Sequence, residues 1–147
     1  MSTVTTPLNN SNSQFNNYDI TNIFVLSNRY DSANFTNDTY ESITLTMGSV
    51  VGRVNSTDEI ALLTSGASDG SQFPIGILAE TITVLAGVTA SLSFCVDGDV
   101  ATSQLLFQGS DVLTTVIDGK TLRDRIGSDT VGVNLVGGTE LTAFDNQ

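Results

Sequence analysis

An all-β fold, mainly strands with one short helix, follows from three features of this 147-residue sequence. From about Tyr18 onward, short β-branched and aromatic runs alternate with Gly, Asp, Asn and Ser, the texture of many short strands. Asp69-Gly70, Asp97-Gly98, Asp118-Gly119 and Gly137-Gly138 tolerate positive φ and fall where strands would reverse. Only one segment carries helix signals, and no fixed repeat period points to a solenoid or propeller. The length suits one domain with a tail, and 39% hydrophobic against 14% charged residues supplies a real core.

Along the chain, residues 1–17 are rich in Asn, Ser and Thr and nearly empty of core formers, so they read as a polar arm. Expected strands follow at 23–26, 30–35, 43–47, 50–54, 60–63, 75–79, 82–85, 90–96, 105–107, 131–136 and 141–144. Alternation is clearest around Ser91-Leu92-Ser93-Phe94, which predicts Leu92, Phe94 and Val96 on one face. The helix is predicted over 121–126. Leu122 and Ile126 pair at i, i+4, Asp124 lies three residues after a capping Thr121, and Gly127 is the expected C-cap.

Charge and composition narrow the function classes. Sixteen acids against five bases leave a net charge of −11, which disfavours nucleic acid and anionic membranes as partners and favours a basic or neutral protein surface. Three of the five bases, Lys120, Arg123 and Arg125, share one short segment, read here as a solvated helix face. A single cysteine, Cys95, excludes an intrachain disulfide and is expected as a buried strand residue. No basic N-terminus precedes an apolar run and no run approaches membrane-spanning length, so use without a signal peptide is expected.

Catalytic chemistry finds little purchase. Histidine is absent, which removes the commonest general base and zinc ligand. Gly66-Ala67-Ser68-Asp69-Gly70 fits the G-x-S-x-G pattern but lacks the preceding strand and following helix of a nucleophile elbow, so it reads as a loop. Asp97-Gly98-Asp99 lacks the rest of a calcium loop and reads as a tight turn. No phosphate-cradling glycine motif occurs, and no catalytic residue, metal site or cofactor is expected. The sequons at Asn34, Asn37 and Asn55 carry little weight without a signal peptide.

The centre of the chain is more specific than its composition. The segment from Gly66 through Asp69-Gly70 to Gly76-Ile77-Leu78-Ala79-Glu80 resembles the Asp-Gly, spacer, Gly-Ile-Leu stretch of lambda-like head decoration proteins of tailed bacteriophages. Gly48-Ser49-Val50-Val51-Gly52-Arg53-Val54 is similar to the strand that opens their compact domain. Phe94-Cys95-Val96-Asp97-Gly98-Asp99-Val100 is similar to the next strand and its Gly turn. Thr121 to Ile126 followed by Val131 to Leu135 resembles their short helix and late strand. The blocks keep their order from about 45 to 136. The departures are the 137–147 extension and the lack of Trp.

The resemblance implies a β-tulip-like domain over 41–147 with an extended N-terminal arm over 1–40, and a non-enzymatic structural role. It implies binding to the outer surface of an expanded icosahedral capsid as homotrimers at threefold positions, stabilising the head against DNA pressure. The implied partners are the major capsid protein and further copies of the chain. The implied location is the virion exterior, after synthesis in the host cytoplasm. Phe15, Tyr18, Ile20, Ile23, Phe24, Tyr30 and Phe35 are the expected capsid-binding residues, with 20–26 and 30–35 as segments that add to capsid strands. For Ile23 and Phe24, burial in the domain's own core is an equal expectation. The alternative is a ligand- or receptor-binding β-sandwich module of a virion fibre, which the absence of Trp disfavours.

Overall fold

A 13-residue strand running Thr89–Ala101 organises the protein in its computed structural model, which describes residues 23–129 and 132–136. In chain order the strands are β1 Phe24–Thr36, β2 Ile43–Leu45, β3 Val50–Arg53, β4 Ile60–Leu62, β5 Pro74–Leu78, β6 Ile82–Val84 and β7 Thr89–Ala101. A 3₁₀ turn at Thr102–Gln104 follows, then β8 Val116–Ile117, β9 Lys120–Thr121, helix α1 Leu122–Asp124 and β10 Gly132–Val136. The all-β class with one short helix holds.

The main sheet has the order β10-β7-β5-β3-β4, with β1 on the other edge of β7. β1 is antiparallel to β7 from Phe24↔Val100 to Thr36↔Thr89. The opposite edge of β7 is shared, with β5 antiparallel at Cys95 and Phe94 and β10 parallel from Asp97 to Ala101. β2 and β6 form a separate antiparallel pair.

Two hydrophobic clusters lie on the two faces of this sheet. Leu92 and Phe94 belong to one cluster, with Val96 packed against it, as their alternation predicts. Cys95, buried as expected, points into the other with Val50, Ile77, Val100, Leu122 and Ile126. Strict alternation along β7 would put Val100 with Phe94. A phase change between them carries Val100 to the Cys95 face instead.

That phase change corrects the reading of Asp97-Gly98 as a turn, since β7 runs straight through it. Gly98 has φ +103, and β1 bulges opposite it, with register shifts between Phe24 and Tyr30 and Ser27 at φ 55. The Asn28 side-chain amide fastens the bulge by donating to the Asp99 carbonyl at 3.0 Å. The same bulge makes one strand of the two expected at 23–26 and 30–35, because the extra residues are absorbed without breaking the ladder.

Other expectations shift for identifiable reasons. Residues 105–107 form only an isolated bridge, Ser49↔Leu106, because the chain there lies against one residue of a neighbour rather than along it. Gly127 does not cap the helix: α1 passes into a π-helical turn at Arg125–Asp129 that runs through it. The Thr121 hydroxyl does accept from the Asp124 N–H at 3.2 Å, and Leu122 and Ile126 are both fully buried. Asp118-Gly119 is a turn, closing the β8–β9 hairpin with positive φ at both positions. The sequence reading missed that hairpin because its strands have only two residues each. The expected strand at 141–144 and the Gly137-Gly138 turn lie outside the described residues.

Arg125 departs from the solvated face expected for the basic segment. It is buried, its Nε and Nη2 donate to the Ile117 carbonyl at 3.1 and 2.7 Å, and its guanidinium lies 4.9 Å from the Phe73 ring centroid. Lys120 and Arg123 are exposed.

Candidate functional site

β1 is the element whose position stands out. It pairs with β7 along its length, and among the described strands nothing pairs with its outer side. A 13-residue strand with an open edge presents a long row of backbone donors and acceptors, which is a template for another strand. From Tyr30 to Thr36 the register with β7 is unbroken, so this half is regular; the half before it is bulged.

The expected binding residues divide between surface and core. Phe15, Tyr18 and Ile20 lie outside the described residues. Ile23 and Phe24 pack partly buried against the Cys95 cluster, and Phe35 against the Phe94 cluster. Tyr30 is half exposed and meets Phe24 edge to face, with ring centroids 5.7 Å apart. Partial burial pushes the Tyr30 phenol above its ordinary pKa. Leu26, 62% exposed on β1, was not among the expected contact residues. Its signal was the alternation of β1, which the bulge obscured.

Beside the regular half of β1, an open polar groove of about 400 Å³ is lined by Ser32, Asn34 and Ser91 on one side and Arg53, Asp58 and Glu59 on the other. Arg53 is ion-paired to Asp58 at 3.1 Å, and Glu59 accepts from the Thr36 hydroxyl at 3.0 Å. These are polar contacts that tie the two sides of the groove together. Asp97 is occupied by Arg29 at 3.0 Å and by the Gly98 N–H at 2.8 Å. Among the described residues, no group of three or more His, Cys, Asp or Glu side chains is arranged to hold a metal ion. Ser68 sits in an exposed bend, with neither a strand before it nor a helix after it. No described helix is long and apolar enough to cross a membrane.

The Gly66 to Glu80 segment is held by its own turn chemistry. The Ser71 hydroxyl and N–H both donate to Asp69 and hold its carboxyl below the usual carboxylate range. A lowered folded-state pKa stabilises the fold above the unfolded value, and that contribution disappears as pH falls through the lowered value. Asp69→Asn is expected to remove this part of the acid dependence of stability while preserving the neutral-pH fold. Urea titrations at two or three acidic pH values would read it.

Comparison with known proteins gives one result on this framework. No curated protein matches the chain. The family described as bacteriophage lambda head decoration protein D matches residues 26–116, which takes in β1 from Leu26 onward, the whole Phe94 cluster, the Cys95 cluster as far as Leu105 and the connection into β8. A match over more than half of the chain, falling on the segments that build the sheet, establishes the relationship. The chain belongs to the bacteriophage lambda head decoration protein D family, structural proteins of the virion that bind the capsid surface.

Proposed function

We propose that the protein clamps the outer surface of the expanded icosahedral capsid as trimers at threefold positions, with the major capsid protein as partner, and strengthens the head against the pressure of packaged DNA. It is made in the host cytoplasm and joins the shell after expansion. Its domain over 41–147 is of the β-tulip kind, and 1–40 is the capsid-engaging segment, which includes β1. Phe15, Tyr18, Ile20 and Tyr30 are its contact residues, with Leu26 added. Ile23, Phe24 and Phe35 support them from the core side.

The observation that supports this reading most is the outer edge of β1, with which none of the described strands pairs. A capsid strand added there gains main-chain hydrogen bonds, while exposed Leu26 and Tyr30 offer apolar contact. Stabilisation follows from linkage, because a ligand that binds only the expanded lattice favours that lattice. Saturation at a hundred times the dissociation constant contributes about 2.7 kcal/mol per site, repeated over the shell.

Cosedimentation of the full chain with expanded and unexpanded shells of the cognate phage tests the proposal. Saturable binding to expanded shells alone is expected. Leu26→Lys with Tyr30→Lys, which puts charge on the edge at two positions that are each more than half exposed, is expected to weaken binding at least about tenfold. Binding to neither shell overturns the proposal.

A further inference from the structure

Three Asp-Gly pairs occur in the chain, Asp69-Gly70, Asp97-Gly98 and Asp118-Gly119, and each glycine has positive φ. An aspartate followed by glycine can modify itself. The glycine amide nitrogen bonds to the aspartate side-chain carboxyl carbon, and its proton leaves with the carboxyl hydroxyl as water. Water then opens the resulting cyclic imide at either of its carbonyls. Opening at the former side chain restores aspartate, and opening at the main-chain carbonyl leaves the backbone running through the side chain as isoaspartate. No co-reactant is consumed. The reaction needs a carboxyl free to turn onto the nitrogen and an N–H not engaged elsewhere.

The fold closes two of the pairs. Asp69 Oδ1 accepts from the Ser71 N–H at 3.0 Å and from its hydroxyl at 2.6 Å, while the Gly70 N–H donates to Gln72 Oε1 at 2.9 Å. The same donors favour the ionised carboxyl, which resists a nucleophile. Asp97 is ion-paired with Arg29 and takes the Gly98 N–H on its Oδ1, and pairing with β1 and β10 fixes its backbone on both edges.

Asp118-Gly119 has none of these restraints. It is the exposed two-residue turn of the β8–β9 hairpin, and nothing lies within 4 Å of a Cβ placed on Gly119. Among the described residues no group binds the Asp118 carboxylate and none accepts the Gly119 N–H. Arg125 does bind the turn: its buried guanidinium donates through Nη2 to the Asp118 main-chain carbonyl at 3.2 Å, as well as to Ile117. That carbonyl belongs to the amide whose nitrogen must attack. A cation on its oxygen draws charge out of the amide and eases loss of the Gly119 N–H proton. Water attacks the same polarised carbonyl to give isoaspartate.

We infer that Asp118-Gly119 is a self-modification site, at which the folded chain converts Asp118 to isoaspartate with Arg125 assisting. The product carries an extra main-chain carbon in a turn that has no room for it in register. The Ile117↔Lys120 and Val116↔Thr121 pairs are therefore lost, and the two carbonyls that hold Arg125 over the Phe73 ring move.

Incubation of the full chain in mildly acidic buffer at physiological temperature, followed by peptide mapping for isoaspartate, tests the inference. Isoaspartate is expected at least about tenfold faster at Asp118 than at Asp69 or Asp97, which react only when their surroundings open. In urea the three rates are expected to converge, and in heavy-oxygen water the product is expected to take up label. Asp118→Glu, which would have to close a larger ring, is expected to remove most of the isoaspartate of the whole chain. Arg125→Met is expected to slow the reaction even though it loosens the turn; a guanidinium that only held the turn still would, on removal, speed it. Should that variant not fold, the unaltered chain decides, with a native rate at Asp118 expected to equal or exceed its rate in urea. Equal rates at the three pairs in the folded chain, the same ratio in urea as in the fold, or a faster reaction without Arg125 overturns the inference.

Discussion

Gly98→Ala is expected to cost the fold about 3–4 kcal/mol. Two effects combine: an L residue at φ +103 costs about 1–2 kcal/mol, and forced overpacking about 1–3 kcal/mol more. A Cβ at Gly98 would lie 2.6 Å from the Ser27 carbonyl oxygen and 2.7 Å from the Asn28 Cα, which are backbone atoms rather than a flexible side chain. They have little room to retreat, because Asn28 is tied to the Asp99 carbonyl and also donates to the Cys95 Sγ at 3.5 Å. Relaxing the bulge instead would disturb the phase that puts Val100 and Cys95 in the same cluster. Gly109→Ala separates the terms, since Gly109 has φ +64 and nothing within 4 Å of an added Cβ. It is expected to lose only about 1 kcal/mol. The urea midpoints of the two variants, at unchanged slope, give the comparison; equal losses would show that the bulge yields freely.

The same bulge marks where the sequence stops being readable. Leu92, Phe94 and Val96 could be assigned to one face because alternation over a few residues is a local property. The turn at Asp118-Gly119 and the helix pair Leu122 and Ile126 were local in the same sense. Asp97-Gly98 has the same local chemistry as Asp118-Gly119, yet it sits inside a continuous strand because β1 and β10 flank it on both edges. Partners from elsewhere in the chain decided that outcome. Arg125 shows the same limit, since its burial depends on the Ile117 carbonyl and the Phe73 ring, which come from other elements. The binding residues proposed from the arm were legible as apolar side chains, but not as edge or core. That distinction needs the sheet order, which leaves β1 outermost and turns Leu26 outward while Phe24 packs inward.

Asn37→Ala is expected to cost about 3 kcal/mol and to loosen the loop over residues 37–41 and the β6–β7 turn before the rest of the fold. Asn37 is completely buried, and every polar atom of its side chain is used. Its Nδ2 donates to the Glu41 and Val84 carbonyls at 2.8 and 2.9 Å, while Oδ1 accepts from the Thr39 N–H and hydroxyl. Its own N–H donates to the Val88 carbonyl, and its carbonyl accepts from the Gly87 N–H. One side chain thus closes the 37–41 loop on itself and fastens it to the β6–β7 turn. Truncation leaves the Val84 carbonyl without its partner in a buried site, at about 1–3 kcal/mol, and removes the part-buried bonds to Glu41 and Thr39, at about 0.5–1.5 kcal/mol each. Asn37→Asp keeps the acceptor but sets a carboxylate oxygen against two carbonyls, so its loss is expected to be at least as large. Hydrogen exchange distinguishes this from general weakening. The Gly87 and Asn37 amides should exchange faster in the alanine variant by more than amides of β7 do, because the clasp acts locally. A uniform rise across the sheet would mean that Asn37 supports the global fold, and the loop and turn that carry Tyr40, Leu85 and Val88 would not depend on this clasp for their shape.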